Sequence, residues 1–164
     1  MKKEQVLNVE FSITPDVRIR VIEDYDTKTT KEDKIKYPFE IFNSVDVTVT
    51  TSKREFTFNI YKGYTWNGAD IPRLFWRIIG SRTSNEFLIA SMIHDYLLEF
   101  KQHIMVNVLN ETMSIKEYRR LTSLIFREKI KNQGTGTIKA NIMAWCVDVF
   151  QMSFNKKEWK LKEV

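Results

Sequence analysis

Between Phe87 and Phe100 the chain places ten apolar side chains in fourteen positions. A helix that is apolar on nearly all sides has to be enclosed by other elements, so the rest of the fold must wrap around this one. Thr83-Ser84-Asn85-Glu86 fits a capping box and sets the expected start, with the helix running to about Phe100. The four polar exceptions are Ser91, His94, Asp95 and Glu99. Their spacing puts them on a single stripe of the helix surface. Such a stripe either meets water or lines a polar pocket. Solvent faces usually carry Lys, Glu and Gln, so Ser, His and Asp add weight to the pocket.

The material for the wrapping lies on both sides. Val6–Ile13, Val17–Ile22, Phe39–Phe42, Val45–Thr51 and Glu55–Tyr61 are rich in β-branched and aromatic residues and read as strands. Val17 to Val21 alternates apolar and basic, which predicts one buried and one wet face. Thr14-Pro15-Asp16 is turn chemistry, and Ser52-Lys53-Arg54 suits a hairpin. Glu23–Lys36 is polar without period and reads as a loop. After Gly68 the pattern turns helical. Asp70 can cap a short helix over Ile71–Ile79, with Pro72 in its first turn and Gly80 at its end. Ser114-Ile115-Lys116-Glu117 is a second capping box, opening a helix to about Lys131. Gly134-Thr135-Gly136 breaks the chain before a last helix from about Thr137 to Phe154. The expectation is an α+β domain over residues 1–164: an N-terminal antiparallel sheet of three to five strands, then about four helices packed on it. Strands occupy 5–66, helices 70–154, and a basic tail 155–164.

Charge divides the same way. Residues 1–70 carry 11 basic and 12 acidic side chains, whereas 71–164 carry 15 and 9, so the helical half holds the positive charge. A basic face can meet nucleic acid or an acidic protein, or simply be a solvated surface. The one cysteine, Cys146, excludes an internal disulfide and sits in an apolar run that reads as core. Glu4 and Glu10 interrupt the stretch after Lys2-Lys3, so no secretion leader is expected, and no window reaches the roughly 18 apolar residues of a membrane span.

The candidate site lies where strands give way to helices, at Asn67-Gly68-Ala69-Asp70-Ile71-Pro72. His94 and Asp95, with Asp70, are the groups that could activate water or hold a divalent metal. Asn67, Arg73, Arg77 and Ser91 are candidate binding residues; Arg73 and Arg77 share a helix face and could clamp an anion. Each has a structural alternative: Asp70 as a helix cap, Asn67-Gly68 as a tight turn, and His94-Asp95 as buried glue. No cofactor is required by any motif present.

The stretch Tyr64-Thr65-Trp66-Asn67-Gly68-Ala69-Asp70-Ile71-Pro72-Arg73, with His94-Asp95-Tyr96-Leu97 farther along, resembles a small family of unknown function common in bacteriophages and prophages. The resemblance covers roughly residues 58–150. The family pattern is Thr-Asp-Gly-Ala-Ser-hydrophobic-Pro-Arg, then a helix with His-Asp-Tyr-Leu, then Ala-Asp before a Phe. Here Asn67 stands for the first Asp, Asp70 for the Ser, and Thr122-Ser123, ahead of Phe126, for the later Ala-Asp. A metal site built on those acids would be rearranged in this chain, with Asp70 replacing the charge lost at Asn67.

These readings support three functional expectations. The first is a phage accessory or virion-associated protein, working in the host cytoplasm or the virion with other phage proteins or a host protein, its polar cluster mainly structural. The second is a metal-assisted hydrolase using the same cluster. The third is binding of nucleic acid or a host factor through the basic helical half. No membrane partner is expected.

Overall fold

A computed structural model describes residues 4–19, 39–66 and 85–154. The antiparallel strands form two three-stranded sheets rather than one. The first joins β1 (Val6–Phe11), β4 (Val45–Thr51) and β5 (Glu55–Ile60) in the order β1-β4-β5; the second joins β2 (Val17–Ile19), β3 (Phe39–Ile41) and β6 (Thr65–Trp66) in the order β2-β3-β6. Helices α1 (Asn85–Glu99), α2 (Lys101–His103), α3 (Ile115–Asn132) and α4 (Thr137–Phe154) come next, with a π-helical turn over Ile104–Val108. The expected loop Glu23–Lys36, the end of the second strand, the short helix Ile71–Ile79, the cap at Thr83-Ser84 and the basic tail lie outside the described residues. No helix among the described residues is long and apolar enough to cross a membrane.

Alternation builds the first sheet. Val45, Val47 and Val49 of β4 point inward, and Phe56, Phe58 and Ile60 of β5 face the same way, paired in register from Val45↔Ile60 to Thr50↔Glu55. Thr51 closes the hairpin: its N–H donates to the Arg54 carbonyl, and its hydroxyl accepts from the Lys53 and Arg54 N–H groups. In the second sheet β2 is an edge strand, and Ile19 is 67% exposed, against the alternation read there. Among the described residues it pairs with β3 alone.

Helix α1 lies between two apolar clusters. Met92, Ile93, Tyr96 and Leu97 join the sheet residues, together with Ile104 and with Tyr118, Leu121 and Ile125 of α3. Phe87 and Ala90, on its other side, join Phe126 and Ile130 of α3 and Ala140, Met143 and Val147 of α4. The nearly all-apolar sequence of α1 is therefore matched by enclosure on two sides. Each aliphatic side chain fully removed from water stabilises the fold by roughly 1.5–3 kcal/mol. Cys146 is buried in the second cluster, as its neighbours imply. The Ser114 capping box forms: its Oγ accepts from the Glu117 N–H at 3.3 Å, and the Glu117 carboxylate accepts from the Ser114 N–H at 3.1 Å. Gly134, at φ +93°, reverses the chain after α3 in a conformation that disfavours a side chain.

A charged cluster clips the sheet to the turn before α3. Arg54 donates through Nε and Nη2 to the two Glu4 carboxylate oxygens, each at 3.0 Å, and also bonds Glu111. Thr51 adds a donor to Glu4 at 2.9 Å. Burial alone would raise the Glu4 carboxyl, but the hydrogen bonds from Arg54 and Thr51 and the guanidinium charge outweigh it and hold the group below its ordinary value. A depressed folded-state pKa contributes stability above the unfolded value of about 4.3, and that contribution is lost as pH falls through the folded one. Urea midpoints measured from pH 7 to pH 3 are expected to fall more steeply in the natural chain than in Arg54→Met. Equal acid slopes in the two would remove this role.

Candidate functional site

Strand β6 is two residues long, too short to hold its place by ladder bonds alone, and its side chains anchor it. Trp66 is buried at 1% exposure, and its indole N–H donates to Ser91 Oγ on α1 at 3.2 Å. The Ser91 hydroxyl in turn donates to the Leu88 carbonyl at 2.9 Å, so it is satisfied both ways inside the core. Tyr64, just before the strand, stacks on Trp66 with ring centroids 6.2 Å apart and meets Tyr96 edge-on at 5.1 Å. Tyr96 continues the cluster to Phe58 and Phe100.

The polar stripe of α1 is thereby divided. Ser91, Asp95 and Glu99 recur every four residues, the helical repeat that keeps side chains on one line. Ser91 meets Trp66 on that line, and the Asp95 and Glu99 carboxylates lie near the Tyr64 hydroxyl, which has Glu99 within hydrogen-bonding reach. Burial, then the Asp95 and Glu99 charges, push the Tyr64 phenol far above its usual range. His94 takes a different direction. Its ring is 2% exposed and meets Phe126 of α3 edge-on at 5.5 Å, with Nδ1 3.6 Å from Asp95 Oδ1. Asp95 is the exposed member of that pair, its side chain at 28%. The stripe is therefore split: Ser91 and His94 are core residues, and the accessible charge begins at Asp95 and continues at Glu99.

Of the residues picked from sequence, Ser91, His94 and Asp95 come together on α1. Asn67, Asp70, Arg73 and Arg77 lie outside the described residues. The strand that leads into them ends against α1 at Ser91, one turn from His94 and Asp95. No group of three His, Cys, Asp or Glu side chains placed to hold a metal occurs among the described residues. His94 and Asp95 supply one nitrogen and one carboxylate donor. A metal would need a further ligand, the part that sequence reasoning gives to Asp70.

Ser123 lines a groove between α3 and α4 whose walls include neither His94 nor Asp95 among the described residues. Sequence reasoning does not single out that groove as a site. Its signal is present in the spacing of Lys116, Arg119, Arg120 and Arg127 along α3, which reads from sequence only as a basic half.

Fold and site together describe an α+β domain in which a short strand is bonded to a buried, polar-seamed helix. The chain belongs to a family described as protein of unknown function (DUF1353), whose pattern matches residues 43–147. That range takes in β4 through most of α4, including every residue of the seam. A similar protein is "Uncharacterized protein y4jT" of Sinorhizobium fredii (strain NBRC 101917 / NGR234), 40% identical over 55 residues, 29% of this chain. The chain spans about 16% of that relative's length. No solved structure matches the chain.

The seam makes an alkaline prediction. Tyr64, Tyr96 and Tyr118 are all raised, chiefly by burial. A folded state that resists phenol ionisation keeps its full stability below the unfolded pKa of about 10 and loses it as pH rises beyond. Spectrophotometric titration at 295 nm is expected to show Tyr64 and Tyr118 ionising only as the chain unfolds. Tyr64→Phe should flatten the alkaline loss of stability. Ionisation of all six near pH 10 in the folded chain would contradict the arrangement.

Proposed function

We propose that this chain is a phage accessory or virion-associated binding protein, acting in the host cytoplasm or the virion, in which the Ser91–His94–Asp95 seam serves as structural glue. The observation that carries this reading is the burial of the seam. Ser91 and His94 are 1% and 2% exposed, Ser91 is saturated by Trp66 and Leu88, and His94 packs on Phe126. A histidine enclosed in this way suits fixing of sheet against helices better than exchange of protons with a substrate. Phage origin is supported by the Gly68-Ala69-Asp70-Ile71-Pro72-Arg73 and His94-Asp95-Tyr96-Leu97 segments, which resemble a pattern common in phages and prophages. Other phage proteins or a host protein are the partners this reading implies.

A metal-assisted hydrolase is the competing reading, favoured by the 3.6 Å approach of His94 Nδ1 to Asp95 Oδ1 and by the partial exposure of that carboxylate. His94 and Asp95, with Asp70, would hold the ion, and an ion held there would supply an activated water. Thermal melting separates the two. Truncating a buried imidazole is expected to cost about 2–4 kcal/mol, so His94→Ala should melt about 5–15 °C lower. Addition of Mg2+, Mn2+ or Zn2+ should leave the natural chain's Tm unchanged. An unaltered melting curve for His94→Ala, or a divalent-ion stabilisation abolished in Asp95→Asn, would turn the assignment toward chemistry.

A further inference from the structure

Helices α3 and α4 flank a groove of about 370 Å3. Lys116, Arg119, Arg120 and Arg127 of α3 line one wall, and Trp145 and Asp148 of α4 stand on the other. Four cations therefore face one acid. Asp148 is already committed to Arg119, with Nε 2.8 Å from Oδ1, a link that sets the two walls in place. Among the described residues Arg127 has only a loose ion pair, with Glu128 at 3.8 Å, and Glu128 is more tightly held by Lys131 at 2.9 Å. Lys116 and Arg120 sit exposed at the rim. The groove thus concentrates positive charge that the described residues leave largely unneutralised.

Two further features narrow the ligand. Trp145 is 59% exposed, although its neighbours Ala144 and Cys146 are buried, so a flat indole stands free beside the cations. Inside the groove the Ser123 hydroxyl oxygen and Arg127 Nε are shielded from solvent and have no hydrogen-bond partner among the described residues. Buried polar atoms in that state favour a ligand bearing both donors and acceptors. Phosphate oxygens answer the guanidinium groups in a bidentate way, and a base answers the indole by stacking. The volume suits a unit of about one nucleotide. An acidic peptide would satisfy the charge but leave the indole without a flat partner. A duplex keeps its base faces stacked inside and could not reach it.

We propose that the α3–α4 groove binds single-stranded nucleic acid, with Lys116, Arg120 and Arg127 on phosphates, Arg119 held on Asp148, and Trp145 stacked on a base. Groove and seam share no residue, so this inference deepens the binding reading above yet fails separately from it.

Fluorescence anisotropy of the full chain with a labelled 20-nucleotide oligo(dT), across roughly 50–300 mM salt, tests it. Three phosphate contacts on a single strand give an expected slope of log K against log salt of about −2. Arg127→Glu should flatten that slope and weaken binding at least about tenfold, and Trp145→Ala should weaken binding roughly tenfold with the slope unchanged. Lys62→Glu, on the exposed turn after β5, should bind as the natural chain does, which separates the groove from net charge. Circular dichroism melts of each variant show that the fold is retained; should Arg127→Glu unfold, Arg120→Glu at the exposed rim takes its place. Equal affinity for a duplex of the same length, displacement by polyglutamate as readily as by unlabelled strand, full competition by a free nucleotide monophosphate, or absence of binding at low salt would each overturn the proposal.

Discussion

The hydrogen bond from the Trp66 indole to Ser91 Oγ joins the last described strand to the central helix, and much of the arrangement depends on it. Strand β6 has two residues and pairs with β3 at Phe39↔Trp66 and Glu40↔Thr65, continued by the Ile41 N–H to the Tyr64 carbonyl and the Gly63 N–H to the Ile41 carbonyl. So short a strand is marginal without side-chain support. A large indole supplies that support in two ways: it removes apolar surface from water, and its one polar atom finds a partner on α1. In a dry interior the bond is directional. It places the strand at one height along the helix, with the Trp66 indole at Ser91, one turn from His94 and Asp95.

Helix α1 can accept such a bond because the rest of its surface needs no water. One face lies on the sheet cluster and another on the α3–α4 cluster. The polar seam breaks this apolar surface at few places. A satisfied hydroxyl and a histidine set against Phe126 cost little, and they favour one register of helix against sheet over its neighbours. The same geometry divides the stripe by function. Ser91 and His94 belong to the interior, whereas Asp95 and Glu99 lie toward the Tyr64 hydroxyl, which burial first and then their charges keep protonated.

Much of this was legible in the sequence. The order of strands before helices, the inward alternation of Val45, Val47 and Val49, the Ser114 capping box, the break at Gly134 and the enclosure of α1 all arise from short-range patterns that the structure keeps. Features set by distant pairing were not legible. The split into two sheets depends on β3 meeting β6, a contact between segments more than twenty residues apart, and no local period marks it. Helical structure resumes at Lys101 and ends in a π-turn because Ile104 seeks the sheet core, although the polar Lys101-Gln102-His103 reads as a helix end. For the site, sequence singled out Ser91, His94 and Asp95, but a helical stripe alone could not say that its first two members were buried. The α3–α4 groove was hidden for a related reason. Its cations are spread along one helix and its indole stands on another, and they become neighbours only when Ala140 and Ala144 let α4 approach α3 closely.

The most direct test of the Trp66–Ser91 link is a double-mutant cycle in which Trp66→Phe and Ser91→Ala are measured alone and together by urea unfolding. Trp66→Phe keeps most of the ring and removes the donor; Ser91→Ala removes the acceptor. The expected coupling is about 1 kcal/mol, with the double variant less destabilised than the two single losses combined. Losses that simply add would mean that indole and hydroxyl do not meet in solution, and the anchoring of the strand end to the helix would have to be abandoned.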